Sequence, residues 1–176
     1  MQSIPDTSNK RILEVGCGTG AFTKEILSKL DAGDQFHIVE LCPNFCDAVE
    51  TNLLQSFRKE HPGIEVVLHN APIEEAGLEG EFDAIICGLP FNNFPLELVQ
   101  DLFDVMFKHL RHGGELAYFE YLGMRTFKKV FGFPSIRKET KQRTIDINNR
   151  YQNKKGEQQT VWCNLPSCRV VRLKGC

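Results

Sequence analysis

Arg11-Ile-Leu-Glu14-Val-Gly16-Cys17-Gly18-Thr-Gly20-Ala21 carries the main topological signal of the chain. A short run of apolar, β-branched and leucine residues ends in three glycines, and Phe22, Ile26, Leu27 and Leu30 then recur at helical spacing. In order, that is a strand, a glycine turn and a helix. Glycines at such a turn let the chain reverse tightly and let a ligand approach the backbone.

The same unit returns downstream. Asp31-Ala-Gly-Asp34 breaks the helix, Gln35 to Val39 reads as a second strand ending at Glu40, and Pro43 opens a helix with Cys46, Val49, Leu53 and Phe57 on one face. Ile64 to Leu68 reads as a third strand followed by Asn70-Ala71. Phe82 to Cys87 is a fourth, apolar almost throughout, which suits a parallel strand covered on both faces. Pro95 opens a long helix with Val99, Leu102, Phe103, Met106 and Leu110 inward; Gly113-Gly114 ends it, and Glu115 to Phe119 is a fifth strand. Thr160 to Cys163 and Arg169 to Leu173 supply two more. The alternation predicts an α/β fold: a doubly wound, mainly parallel seven-stranded sheet with helices on both faces, binding its ligands beyond the carboxyl ends of the strands.

The chain has 176 residues, 41% apolar and 25% charged, which is one globular domain's worth and needs no disulfide or metal to hold a core. With 8 Pro and 14 Gly and no simple segment, collagen, repeat and wholly disordered readings are excluded. The net charge of −2 hides a division: residues 1–121 carry 8 Lys+Arg against 20 Asp+Glu, and 122–176 carry 13 against 3. Such asymmetry points to an anionic partner met by the C-terminal third, or to attraction between the two regions within one fold. The seven cysteines have no zinc-knuckle spacing and read as reduced thiols, and the five histidines show no ligand spacing, so no metal is assigned. The N-terminal residues show no apolar signal region and no run is long enough to span a bilayer, which predicts a cytoplasmic location.

Three further residues bear on the ligand. Glu40 ends the second strand where a carboxylate can accept from the two hydroxyls of a ribose, although an acid near the helix opening at Pro43 is also favoured by that helix's dipole. Glu14 precedes the first glycine, and Asn70 can read an adenine edge with its amide. Together they favour a nucleoside with a charged amino-acid tail over a pyrophosphate.

These residues resemble the class I S-adenosylmethionine-dependent methyltransferases. Glu14-x-Gly16-x-Gly18-x-Gly20 is similar to that family's first motif, Glu40 to its ribose-binding acid and Asn70-Ala71 to its adenine contact. The resemblance implies a Rossmann-like fold and S-adenosyl-L-methionine as cofactor, with S-adenosyl-L-homocysteine as product. It implies cofactor contacts at Glu14, Gly16, Cys17, Gly18, Gly20, Glu40, Leu41, Asn70, Ala71, Gly88 and Leu89. Residues 1–121 would then form the cofactor-binding core, and 122–176 a basic segment plus terminal strands of the same domain.

Gly88-Leu-Pro90-Phe91-Asn92-Asn-Phe94-Pro95 lies where the family places its acceptor motif, which makes Pro90, Phe91, Asn92 and Phe94 candidate substrate contacts. Adenine N6 methyltransferases carry an amide or acid at the first position, where this chain has Gly88. The stretch is instead similar to bacterial phospholipid N-methyltransferases, as are Phe119-Glu120-Tyr121 and Trp162-Cys-Asn164-Leu-Pro166. That similarity implies methylation of a phosphatidylethanolamine-type headgroup at the inner membrane face. Glu120 and Tyr121 are the candidates to steer or accept the ammonium proton, and Phe91, Phe94 and Tyr121 to stabilise the methylated cation, unless these rings are simply core. Leu122 to Arg143 interleaves apolar residues with seven Lys/Arg and only Glu139, a pattern that can lie on anionic lipid, cover the sheet as a packed helix, or track RNA phosphates. RNA or small-molecule methylation, a non-catalytic nucleotide-binding module and a dinucleotide oxidoreductase stay open as alternatives, and the oligomeric state is not read from the sequence.

Overall fold

The structure is a computed structural model that describes residues 4–91, 94–121, 155–161 and 168–175, with backbone alone at 120–121, 155–161, 168 and 169. The strands are β1 (Arg11–Val15), β2 (Gln35–Val39), β3 (Glu65–His69), β4 (Phe82–Cys87), β5 (Leu110–Tyr121), β6 (Lys155–Val161) and β7 (Cys168–Lys174), and the helices α1 (Ala21–Leu27), α2 (Pro43–Val49), α3 (Gln55–Glu60) and α4 (Leu96–His109). They form one sheet in the order β3-β2-β1-β4-β5-β7-β6. The pairs from β3 through to β5 are parallel, and β7 runs antiparallel to both β5 and β6. A mainly parallel sheet flanked by helices is therefore what the alternating apolar pattern builds.

Side-chain alternation along β1 divides the core. Leu13 and Val15 pack with Val39, Ile85 and Cys87 against Val99, Leu102, Phe103 and Met106 of α4. On the opposite face Ile12 packs with Phe36, Ile38, Ala84 and Ile86 against Ile26 and Leu27 of α1 and against Val49 and Leu54. Because β1, β2 and β4 are covered on both faces, their buried side chains are apolar apart from one, Glu14.

Several boundaries depart from the sequence reading, the least of them β3, which runs over Glu65–His69 instead of Ile64–Leu68. The helix opened at Pro43 passes through a π-helical turn at Glu50–Leu54 before α3, and the extra residue rotates the face so that Leu54 is buried while Leu53 and Phe57 only pack against the core's edge. α4 ends at His109, not at Gly113-Gly114. Those glycines lie inside β5, where the register jumps from the Phe82 and Leu110 pair to the Ala84 and Glu115 pair. The chain bulges out there, which brings Gly114 so close that a Cβ on it would come within 2.9 Å of the Asp83 carbonyl oxygen. The last two strands are longer than expected, Lys155–Val161 and Cys168–Lys174 instead of Thr160–Cys163 and Arg169–Leu173.

At the amino ends of the strands, Lys10 is buried and ion-paired with the fully buried Asp34, and more loosely with Asp31. Asp34 also accepts from the Lys10 and Asp31 backbone N–H groups at 3.0 and 2.8 Å. Burial opposes the charge on Lys10, but the carboxylates outweigh it and raise its pKa. Removing one member of a buried pair strands the other. Asp34→Ala is expected to lose about 3–5 kcal/mol in urea unfolding; Asp31→Ala, whose carboxylate is 79% exposed, is expected to lose under ~1 kcal/mol.

Candidate functional site

At the carboxyl edge the parallel ladder continues one residue beyond the strands. The Gly16 N–H donates to the Val39 carbonyl at 2.8 Å, the Gly88 N–H to Val15 at 2.8 Å, and the Glu40 N–H to His69 at 3.0 Å. Four strand ends are thereby held side by side, with the loop Gly16–Gly20 above them. Gly18 has φ +52°, and a Cβ there would meet nothing within 4 Å, so the loop leaves open space beside its backbone. This is the room a ligand needs to lie against the chain.

Glu14, the polar residue inside β1, is fully buried. Its Oε2 accepts from the Thr23 hydroxyl on α1 at 2.7 Å, and its Oε1 has no hydrogen-bond partner. Burial pushes its pKa up to about 7, against the pull of Thr23 and with a smaller push from the negative charge of Glu40. A carboxylate oxygen enclosed without a donor is expensive unless a ligand or water supplies one.

Glu40 joins the loop to β2. Its Oε2 accepts from the Gly18 N–H and its Oε1 from the Cys42 N–H, each at 2.9 Å. The Cys17 thiol lies 3.9 Å from Oε2, and burial together with both glutamates raises its pKa, which keeps it protonated. The amide nitrogen of Asn70 donates to the carbonyls of Glu40 and Leu41 at 2.9 and 3.1 Å. Both of its N–H groups are thus spent on tying β3 to β2, and the expected reading of an adenine edge is narrowed to the amide's carbonyl oxygen. Leu41 is 68% exposed beside this site, and Ala71 packs at the core's edge.

At the end of β4 the chain has no room for a side chain at position 88, since a Cβ there would lie 2.5 Å from the Gly16 carbonyl oxygen. Leu89 covers Gly16, and Pro90 is exposed. Phe91 turns inward: it is 8% exposed, with its ring 5.1 Å from Phe103 and 5.8 Å from Tyr118. The expectation that its face receives a cation gives way to core packing, while Phe94 stays half-buried at the rim of the same cluster. Asn92 lies outside the described residues, as do the side chains of Glu120 and Tyr121.

The site also contains residues that the motif reading missed. Thr23 is one, and the stacked pair Phe22 and Phe119 is another, with ring centroids 4.1 Å apart and Phe22 3.6 Å from where a Gly88 Cβ would be. Both rings are half-buried at the carboxyl edge. His37 and His69 pair elsewhere, Nδ1 to Nε2 at 3.1 Å under β2 and β3, and burial lowers both of their pKa values. Among the described residues no group of three or more His, Cys, Asp or Glu side chains is arranged to hold a metal.

The donor set fits S-adenosylmethionine: a buried acid for an ammonium, a second acid at the end of β2 for ribose hydroxyls, and an open glycine backbone between them. The family described as "Methyltransferase domain" matches residues 12–114. The chain belongs to that family. It is an S-adenosylmethionine-dependent methyltransferase, with S-adenosylhomocysteine as product. It is 25% identical over 139 residues to an ornithine lipid N-methyltransferase of Singulisphaera acidiphila, covering 74% of this chain and 69% of that one. It is 29% identical over 153 residues to a malonyl-[acyl-carrier protein] O-methyltransferase of Bacillus cereus, of which it spans about half, 52%, with 85% of this chain aligned. In fold it is similar to the N-methyltransferase NodS from Bradyrhizobium japonicum WM9 in complex with S-adenosyl-L-homocysteine, with a TM-score of 0.65, 16% identity, and coverage of 94% of this chain and 78% of that one.

Two glycine substitutions separate fold from site in this methyltransferase. Gly88→Ala drives a methyl group into backbone and is expected to lower the melting temperature markedly. Gly18→Ala meets only the left-handed penalty of about 1–2 kcal/mol, yet fills the ligand's space, so cofactor-product binding by calorimetry is expected to fall more than stability does. Glu14 contributes one component of the pH dependence. Its carboxyl binds a proton more tightly in the folded protein, about 7 against 4.5, so its contribution to stability is present at low pH and is lost as pH rises through that window. Glu14→Gln escapes the loss. Relative to the native protein, the ligand-free variant is expected to gain melting temperature between pH 5 and pH 8, at the expense of cofactor affinity.

Proposed function

We propose that this methyltransferase transfers its methyl group to an amine, and that the amine is an amino-lipid headgroup at an anionic membrane surface. The observation that carries the first half is the acceptor end of the site. Gly88 has no space for a side-chain amide or acid, Leu89 is apolar, and Phe22 and Phe119 present an aromatic wall beside them. An adenine amino group is left there without a side-chain partner from position 88. A cationic or cation-forming nitrogen suits aromatic faces.

The lipid half rests on the ornithine lipid N-methyltransferase similarity and on charge. The 13 Lys+Arg of residues 122–176 against 3 Asp+Glu suit anionic headgroups, and Leu122 to Arg143, which lies outside the described residues, carries the apolar side chains for shallow insertion. Among the described residues no helix is long and apolar enough to cross a membrane.

S-adenosylmethionine supplies a methyl group on a positively charged sulfur. The chain's own part is to hold the acceptor nitrogen in line with it and to take that nitrogen's proton first. Glu40, through Gly18 and Cys42, orders the cofactor side. Glu120 and Tyr121, at the end of β5 opposite Arg169 and Cys168, are the proposed proton acceptors. The malonyl-[acyl-carrier protein] relative favours a second reading, methylation of a carboxylate oxygen on a carrier-bound acid.

The deciding experiment offers labelled S-adenosylmethionine with vesicles of ornithine lipid or phosphatidylethanolamine, malonyl-acyl carrier protein, and bulk RNA as parallel acceptors. Label in the lipid is the expected result. Label confined to the carrier protein or RNA overturns the lipid reading. In the same assay Glu40→Ala is expected to weaken cofactor-product binding roughly 10- to 100-fold, the loss of charged hydrogen bonds at about 1.5–3 kcal/mol, and lipid labelling should fall with it.

A further inference from the structure

We propose that Thr23 is a positioning residue for the cofactor: its hydroxyl fixes one oxygen of the Glu14 carboxylate and keeps the other, Oε1, for the ammonium at the cofactor's amino-acid end or for a water that bridges to it. Cofactor binding is thereby tied to the loss of a proton from Glu14. The inference depends on the cofactor alone and stands whichever acceptor is methylated.

Thr23 is completely buried in the first turn of α1, close to Ile26 and Leu27, where an apolar residue of the same shape would pack at no polar penalty. A hydroxyl enclosed there needs a partner, and it has one nine positions earlier, on β1, at 2.7 Å. A hydroxyl donates one proton, so it satisfies Oε2 and leaves Oε1 unpartnered. The groups facing Glu14 are few. From α1 come the Thr23 hydroxyl and backbone, from the end of β2 the Glu40 carboxylate, and from the loop the Cys17 thiol. The strand neighbours on either side, Ile38 and Ile86, are apolar.

Among the described residues, then, this carboxylate has a like charge and a neutral donor about it but no cation. A ligand's ammonium is the missing counter-ion. A protonated Glu14 cannot serve, because its neutral carboxyl offers no charge to the ammonium. When protonated Glu14 meets the cofactor, the carboxyl O–H breaks, its proton leaves to solvent, and the two electrons stay on the oxygen that faces the ammonium. Burial sets that proton's midpoint at about 7, and the Thr23 hydroxyl is the main group pulling it down from a higher value.

The test is calorimetric titration with S-adenosylhomocysteine from pH 5.5 to 8, run in pairs of buffers with different ionisation heats so that proton release is counted directly. The native chain is expected to bind with constant affinity near pH 8, to lose affinity as pH falls through about 7, and to release up to one proton per site below that point. Thr23→Val, which keeps the shape and removes the donor, is expected to move the midpoint upward by roughly one pH unit, a charged hydrogen bond's worth. Thr23→Ser should stay with the native chain. Glu14→Gln should bind weakly without proton release. A Thr23→Val loss of the same factor at every pH would make Thr23 a packing residue and overturn the proposal, as would native binding without proton release between pH 6 and 7. Circular dichroism checks folding; if the valine variant fails it, Thr23→Ala takes its place, and the native proton count still decides.

Discussion

The candidate site depends on one carboxylate. Glu40 accepts the Gly18 N–H with one oxygen and the Cys42 N–H with the other, while its backbone carbonyl receives Asn70 from β3. Three segments that are remote in sequence thus meet at a single residue at the end of β2. Its charge makes the bonds from Gly18 and Cys42 stronger than neutral ones, and its burial restricts their geometry. With the loop placed, the open side of Gly18 and the enclosed Glu14 acquire fixed positions relative to each other.

What was legible in the sequence follows from this arrangement. β1, β2 and β4 are buried on both faces, so apolar residues are concentrated in short runs, and the glycine loop and Glu40 sit just beyond the ends of two of them. What was illegible involves partners far apart in the chain or a single inserted residue. The π-helical turn at Glu50–Leu54 changes no composition, yet it exchanges Leu53 for Leu54 in the core. Gly113-Gly114 reads as a helix end because glycine commonly ends helices, whereas here it permits a bulge against Asp83. An aromatic in a loop carries no sign of direction, so Phe91 reads as a ligand contact although Phe103 and Tyr118 enclose it. Asn70 and Thr23 are polar residues whose tasks are defined only by what lies across the sheet edge.

The acceptor side shows how an absence can be structural. Gly88 departs from the amide or acid of adenine N6 methyltransferases, and the sequence alone presents this as a missing group. The structure gives a steric cause: the Gly16 carbonyl oxygen occupies the place of a Cβ, and Phe22 lies on the next side. Restoring a side chain there would displace the loop that forms the cofactor site. The proposed amine acceptor would meet shape and aromatic character there, from the Phe22 and Phe119 stack, in place of a directed hydrogen bond from position 88.

Glu14 occupies a position where every neighbouring strand residue is apolar, and a leucine or isoleucine there would serve the core better. Burial raises its pKa toward neutrality, which measures how strongly the fold resists its charge. Such local disagreement between residue and surroundings is characteristic of sites that act on a ligand. The resistance has a use. A carboxylate that the empty protein holds at a disadvantage gains more from a cation than one already paired, so binding energy is concentrated on the ligand's ammonium and withheld from neutral nucleosides of the same shape. Thr23 moderates the effect, since one hydrogen bond keeps the group ionisable near neutral pH without satisfying it.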